Sequence, residues 1–170
     1  LVDLRTPGEF ARGHPKSALS LPFSPKGLAD RLGVVVTHDV GIILLAADDA
    51  TASAAFAQLR TTHFNLLGRL DGGLCAWRTA GLSVESVEEV SVRQAAPENR
   101  PSETVVLDVR EPMEWETGHV PGALLISLGD LRRQMGEMSG QARIAVICEA
   151  GIRSSTAASI LQAEGFETVV

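Results

Sequence analysis

Short apolar runs alternate with longer mixed segments along the whole chain. Gly41 to Ala46 and Ile144 to Cys148 are nearly unbroken apolar stretches, too short for helices and continuous enough for strands buried on both faces. Leu1 to Arg5 and Val105 to Arg110 are apolar runs ending in Asp-x-Arg, each followed by a proline and a short helix with acidic residues near its start. Further helices are expected from N-caps near Ser24 and Ser127. The Ala/Ser-rich segments Thr51 to Thr62 and Ser154 to Glu164 read as helices too, the second stopped by Gly165. Apolar runs at Phe64 to Leu67 and Phe166 to Val170 close the pattern. Strands alternating with helices give the α/β class, with mainly parallel sheets and helices on both faces.

The pattern occurs twice. Val2 to Leu19 and Leu107 to Leu124, at an offset of 105, share eight of eighteen residues without a gap: Asp3/Asp108, Arg5/Arg110, Pro7/Pro112, Glu9/Glu114, Gly13/Gly118, His14/His119, Ala18/Ala123 and Leu19/Leu124. Ile42 to Gly68 matches Ile144 to Val170 more weakly, at an offset of 102. Two tandem domains are therefore expected, at residues 1–82 and 83–170. Ser83 to Ser102 is a polar connection, in which Val84 to Val92 alternates like a half-buried strand and is assigned to the second copy. On this assignment the first copy lacks a leading strand. The second lacks a counterpart of Asp71 to Trp77 (DGGLCAW), and the chain is expected to be a piece of a longer protein.

Charge and composition narrow the function classes. Lys plus Arg less Asp plus Glu is 15 − 21 = −6, with no basic run, so nucleic acid is not an expected partner. The longest uncharged apolar stretch, Val40 to Ala47, is too short to cross a bilayer, so no membrane partner is expected either. The chain opens without an export signal, and its two cysteines, Cys75 and Cys148, suit a reducing compartment; a cytoplasmic location is expected.

The chemistry concentrates at Cys148. It ends a buried strand, and the loop Glu149, Ala150, Gly151, Ile152, Arg153 leads into a helix near Ser154. In open α/β sheets ligands bind beyond the carboxyl ends of strands, where the following helix offers its amides. Turned inward, the loop amides would form an anion nest, with Gly151 permitting the turn and Arg153 supplying a cation; such surroundings favour a thiolate. The plain alternative is a small apolar residue at a strand end. At the offset of 102 the first copy has Ala46 for Cys148, Asp49 for Gly151 and Thr51 for Arg153, so it is expected to be inactive. Asp108, Arg110, Glu114 and His119 recur in that copy, which points to architecture: a buried ion pair and a turn anchor. Cys75 is read as a packing residue, Trp77 and Trp115 as core or domain-interface residues, and His38 and His63 as surface residues without ligand spacing.

CEAGIRS, LDVREPMEWETGHVPGA and the Gly-Gly-x-x-Ala-Trp pattern in DGGLCAW resemble the rhodanese family of sulfurtransferases. The resemblance implies that Cys148 takes a sulfane sulfur from thiosulfate or a persulfide donor as a persulfide, and passes it to a thiophilic acceptor such as cyanide or a small or protein thiol. Glu149 to Ser154 would then form the substrate loop, with Arg153 helping to hold an anionic donor and no metal or organic cofactor needed. Two-domain members similarly pair an inactive first copy with an active second one, and tandem copies also occur behind metallo-β-lactamase-like hydrolases. Two alternatives stand beside this: a non-catalytic sensor or docking module, and a phosphatase or arsenate reductase. The second pair is disfavoured by spacing, because Cys148 to Arg153 is C-x4-R where the related phosphatases have C-x5-R.

Overall fold

The computed structural model describes residues 1–138 and 143–170. The chain divides into two compact units, Leu1–Ser86 and Val87–Val170.

The first unit runs β1 (Val2–Asp3), α1 (Pro7–Arg12), β2 (His14–Pro15), β3 (Leu19–Ser20), α2 (Leu28–Val35), β4 (Ile42–Leu45), α3 (Asp49–Leu59), β5 (Leu66–Arg69), α4 (Gly73–Thr79) and β6 (Val84–Glu85). Its sheet is parallel throughout, in the order β3-β1-β4-β5. Val2, Leu28, Leu32, Leu44 and Leu59 bring β1, β4, α2 and α3 into one core. Helix α1 forms where Thr6 and Glu9 make a reciprocal capping box around Pro7.

The second unit runs α5 (Val92–Ala95), β7 (Thr104–Asp108), α6 (Pro112–Glu116), β8 (Leu124–Leu125), α7 (Leu131–Gln134) continued by a 3-10 turn (Met135–Met138), β9 (Arg143–Ile147), α8 (Ile152–Ala163) and β10 (Thr168–Val169). Its parallel sheet, β8-β7-β9-β10, repeats the first in order, and in register at its central strands; the β4–β5 pairing shifts by one after Ile42 where β9–β10 does not. Asp3 faces Ser20 and Leu45 where Asp108 faces Leu125 and Ile147, the same offsets of 105 and 102 that relate the sequences. Helix α8 is buried from Ser154 to Leu161. Its small residues allow that close packing, and Thr156 and Ser159 satisfy their hydroxyls by donating to carbonyls of their own helix.

Several boundaries differ from the sequence reading. Helix α2 starts at Leu28, not near Ser24, because Gly27 takes a left-handed turn (φ 71°) immediately before it. Helix α7 starts at Leu131, after a turn in which the Asp130 N–H donates to Ser127 O. Helices α3 and α8 each start two residues earlier than expected, at Asp49 and Ile152. The Val84 to Val92 segment, assigned as one strand of the second copy, is divided. Val84–Glu85 pairs antiparallel with β2 in the first unit, where Trp77 Nε1 donates to Ser83 O. Glu88 instead bridges Val169 beside β10 of the second unit, and Val90 N–H donates to Val170 O at 2.7 Å.

Among the described residues no helix is long and apolar enough to cross a membrane.

Candidate functional site

Each unit holds the same clamp below its strand-end loop. In the second, Asp108 is fully buried at the end of β7 and accepts from Arg110 Nε at 3.0 Å and Nη2 at 2.7 Å, while Nη2 also donates to Gly118 O at 2.9 Å. In the first, Asp3, Arg5 and Gly13 O make the same set. The histidine that follows stacks on the aromatic residue four positions earlier, His119 on Trp115 and His14 on Phe10, both with ring centroids 3.7 Å apart. Both Nδ1 atoms meet the backbone carbonyl of that aromatic residue. The clamp thus ties strand end, helix and Gly-His turn together with or without a cysteine nearby.

What differs is the loop above. Cys148 follows β9 directly and is half-buried. Its Sγ accepts from the Ser154 N–H at 3.3 Å and lies 3.5 Å from Ser154 Oγ, which itself donates to Gly151 O at 3.1 Å. Gly151 caps α8 in the left-handed conformation (φ 78°), so the chain turns sharply and brings the first turn of α8 back onto the sulfur. The sulfur thus meets an amide, that of Ser154, which has no acceptor within the helix and stands at the positive end of its dipole.

Arg153 does not stand as a bare cation. Its Nη1 and Nη2 donate to the two oxygens of Glu114 at 2.5 and 2.7 Å, a bidentate pair that joins α8 to α6. Glu114 also accepts the Glu111 N–H, and the Arg153 bonds together with this one hold its carboxyl at about 2. Sequence reading placed Glu114 with the architectural residues and gave Arg153 to the ligand. The geometry couples the two.

Cys148 also lines a cavity of about 560 Å³. Val92, Ala95, Pro97, Val120, Pro121 and Ile147 line it together with Arg110 and His119, Val92 at an exposed edge. The wall contributed by Val92 to Pro97 was missed at the sequence level, where this stretch is only part of a polar connection. Its signal is slight: Val92 and Pro97 among small and polar neighbours.

In the first unit Ala46 follows β4 as Cys148 follows β9, but the helix beyond is capped differently. Asp48 accepts from Thr51 N at 2.8 Å and Thr51 Oγ1 at 3.0 Å, so a carboxylate of the chain itself sits on the α3 N-terminus. Glu9, the counterpart of Glu114, turns back onto Thr6 N and Oγ1. Cys75, read as a packing residue, is exposed, beside the helix-leading Gly72 and Gly73. Trp77 and Trp115 are half-buried and not core residues. Among the described residues, no group of three or more His, Cys, Asp or Glu side chains is arranged to hold a metal ion.

Comparison with known proteins gives one family. The rhodanese-like domain matches twice, at residues 1–80 and 87–170. A putative sulfur carrier protein of Bacillus subtilis is 33% identical over 89 residues, 52% of this chain and 48% of that protein, so the chain spans about half the length of that relative. A thiosulfate sulfurtransferase of Pseudoalteromonas translucida is 30% identical over 82 residues, 48% of this chain and 78% of that protein. Among solved structures, a rhodanese-like domain from Anabaena is 27% identical, covering 54% of this chain and 95% of that one, with a TM-score of 0.48.

Proposed function

Since the chain belongs to the rhodanese-like domain family through both of its units, we propose that it transfers sulfane sulfur, with Cys148 of the second domain as the carrier. The Cys148 thiolate attacks the outer sulfur of thiosulfate or of a persulfide. The bond from that sulfur to the donor breaks, and the leaving group, sulfite or a thiolate, departs with the electron pair. A Cys148 persulfide remains. A thiol or cyanide then attacks its outer sulfur and releases the Cys148 thiolate. The transferred sulfur keeps its oxidation state, so no outside oxidant or reductant enters. Two displacements through a covalent intermediate predict ping-pong kinetics.

The observation that carries this reading is the seat of the sulfur. Cys148 Sγ stands at the strand end, hydrogen-bonded by the Ser154 N–H at the head of α8. The outer sulfur of a Cys148 persulfide would sit against that helix terminus, whose dipole suits the charge handled during transfer. In this reading the loop Glu149 to Ser154 surrounds the sulfur, and the Asp108–Arg110 clamp and His119 hold the turn that frames it. The first domain, with Ala46 at the cysteine position and Asp48 on its helix terminus, carries no sulfur and serves as a structural or docking partner.

Intact-mass measurement after incubation with thiosulfate tests the assignment. A gain of one sulfur, removed by cyanide and absent in Cys148→Ala, is expected. If neither thiosulfate nor a low-molecular-weight persulfide leaves an adduct, the domain is a binding module and the proposal fails.

A further inference from the structure

Resting on the sulfur-transfer reading, we infer that Glu114 is a specificity-determining residue: by closing Arg153 into a bidentate pair, it turns the Cys148 site away from oxyanion donors and towards organic persulfides with an apolar carrier group. The two guanidiniums that flank the sulfur site are both engaged by carboxylates, Arg153 by Glu114 and Arg110 by Asp108. Glu111 acts on Arg153 and Glu149 on Arg110 through space, so two cations face four carboxylates around the loop. A sulfonate group would arrive in a negative neighbourhood, where the charge of each guanidinium is already balanced by a carboxylate. Its oxygens would have to take the remaining N–H donors of those guanidiniums against that field, displace Glu114, or stay on water.

An organic persulfide makes no such demand. The cavity beside Cys148, about 560 Å³, is walled by Val92, Ala95, Pro97, Val120 and Pro121, a volume and lining suited to the carrier part of a small organic molecule. With the carrier group there, the outer sulfur can meet Cys148 Sγ. The Cys148 thiolate takes that sulfur, the persulfide S–S bond breaks, and the carrier thiolate leaves with the electron pair and is protonated by solvent.

Both carboxylates cap their own helices, Glu9 through Thr6 N at 3.0 Å and Glu114 through Glu111 N at 2.9 Å. What the second unit adds is the bond across to α8, where Arg153 stands at the position that Thr51 takes in the first.

The test measures initial rates of sulfur loading on Cys148 by intact mass over a range of donor concentrations. The donors are thiosulfate and an alkyl persulfide released in situ from a protected precursor; the proteins are wild type, Glu114→Gln and Glu114→Asp. Glu114→Gln should raise the thiosulfate-to-persulfide ratio of kcat/KM about tenfold, the scale of one hydrogen bond to a charged group. Most of that rise should come from a lower KM for thiosulfate. Glu114→Asp, which keeps the charge, should stay near the wild-type ratio. A purely structural staple would lower loading from both donors alike and leave the ratio unmoved; a ratio unchanged or lowered in folded Glu114→Gln overturns the proposal. So does a wild-type KM lower for thiosulfate than for the alkyl persulfide, whatever the variants do. No adduct from either donor in any protein would remove the sulfur-transfer reading itself, a different outcome from adducts with an unchanged ratio.

Discussion

Glu114 joins two features that the sequence presents separately. The residue recurs as Glu9 in a copy without the cysteine, which argues for architecture, while Arg153 is replaced by Thr51, which argues for a role at the site. What the sequence lacks is the direction in which α6 faces α8, since 39 residues separate the partners. The pairing has a consequence for acid stability. Glu114 titrates at about 2 in the folded protein, below its ordinary 4.5, chiefly because Arg153 and then the Glu111 N–H donate to its charged form. A depressed carboxyl contributes stability that is present above about 4.5 and is lost as pH falls through about 2. The difference in melting temperature between wild type and Glu114→Gln should therefore be constant from neutral pH to about 4.5 and shrink towards pH 2. A difference that does not change with pH would mean that the ionised pair contributes nothing. Across the usual assay range Glu114 stays charged, so the expected donor preference should not vary with its titration.

At the scale of elements, the sequence was most legible where apolar runs decide the structure. The offsets of 105 and 102 found between the copies reappear as strand registers, because a one-residue slip would turn every buried side chain of β1 or β7 to the wrong face. Helix starts were less legible. Gly27 and Gly151 adopt left-handed turns that set the beginnings of α2 and α8; Gly151 is legible as permitting a turn, but a glycine in the sequence does not fix its own φ or the residue at which the helix begins. Capping also separates the two loops. At the α3 N-terminus Asp48 supplies a carboxylate from the chain itself, whereas Gly151 has no side chain and leaves the start of α8 to Cys148. In a Cys148→Ala background, Ala46→Cys should therefore leave the first domain without a cyanide-labile sulfur after incubation with thiosulfate, as judged by intact mass. Such a sulfur, mapped to the introduced thiol, would show that the Asp48 cap is no barrier. Removing the cap itself, Asp48→Ala, should lower the midpoint of denaturant unfolding, because the Thr51 N–H loses its side-chain acceptor.

At the scale of the whole molecule, a net charge of −6 sets the field through which a donor approaches. Thiosulfate is a dianion and is repelled, so its rate of loading should rise as salt is added up to about 0.15 M, where the screening length is about 8 Å. The rise should be smaller for an alkyl persulfide, which carries at most one negative charge. A rate for thiosulfate that falls with salt would instead reveal a positive local potential at Cys148. The repeated clamp adds a different kind of information. His14 on Phe10 and His119 on Trp115 sit in equivalent stacks, one in a domain with a cysteine at the strand end and one in a domain without. The two stacks differ in exposure, His14 being buried and His119 exposed at the border of the Cys148 cavity. A reagent confined to solvent reaches the His119 resonance first, and a shift of the His14 resonance reports a change that has entered the interior of its domain, so one spectrum of this chain separates surface events from internal ones.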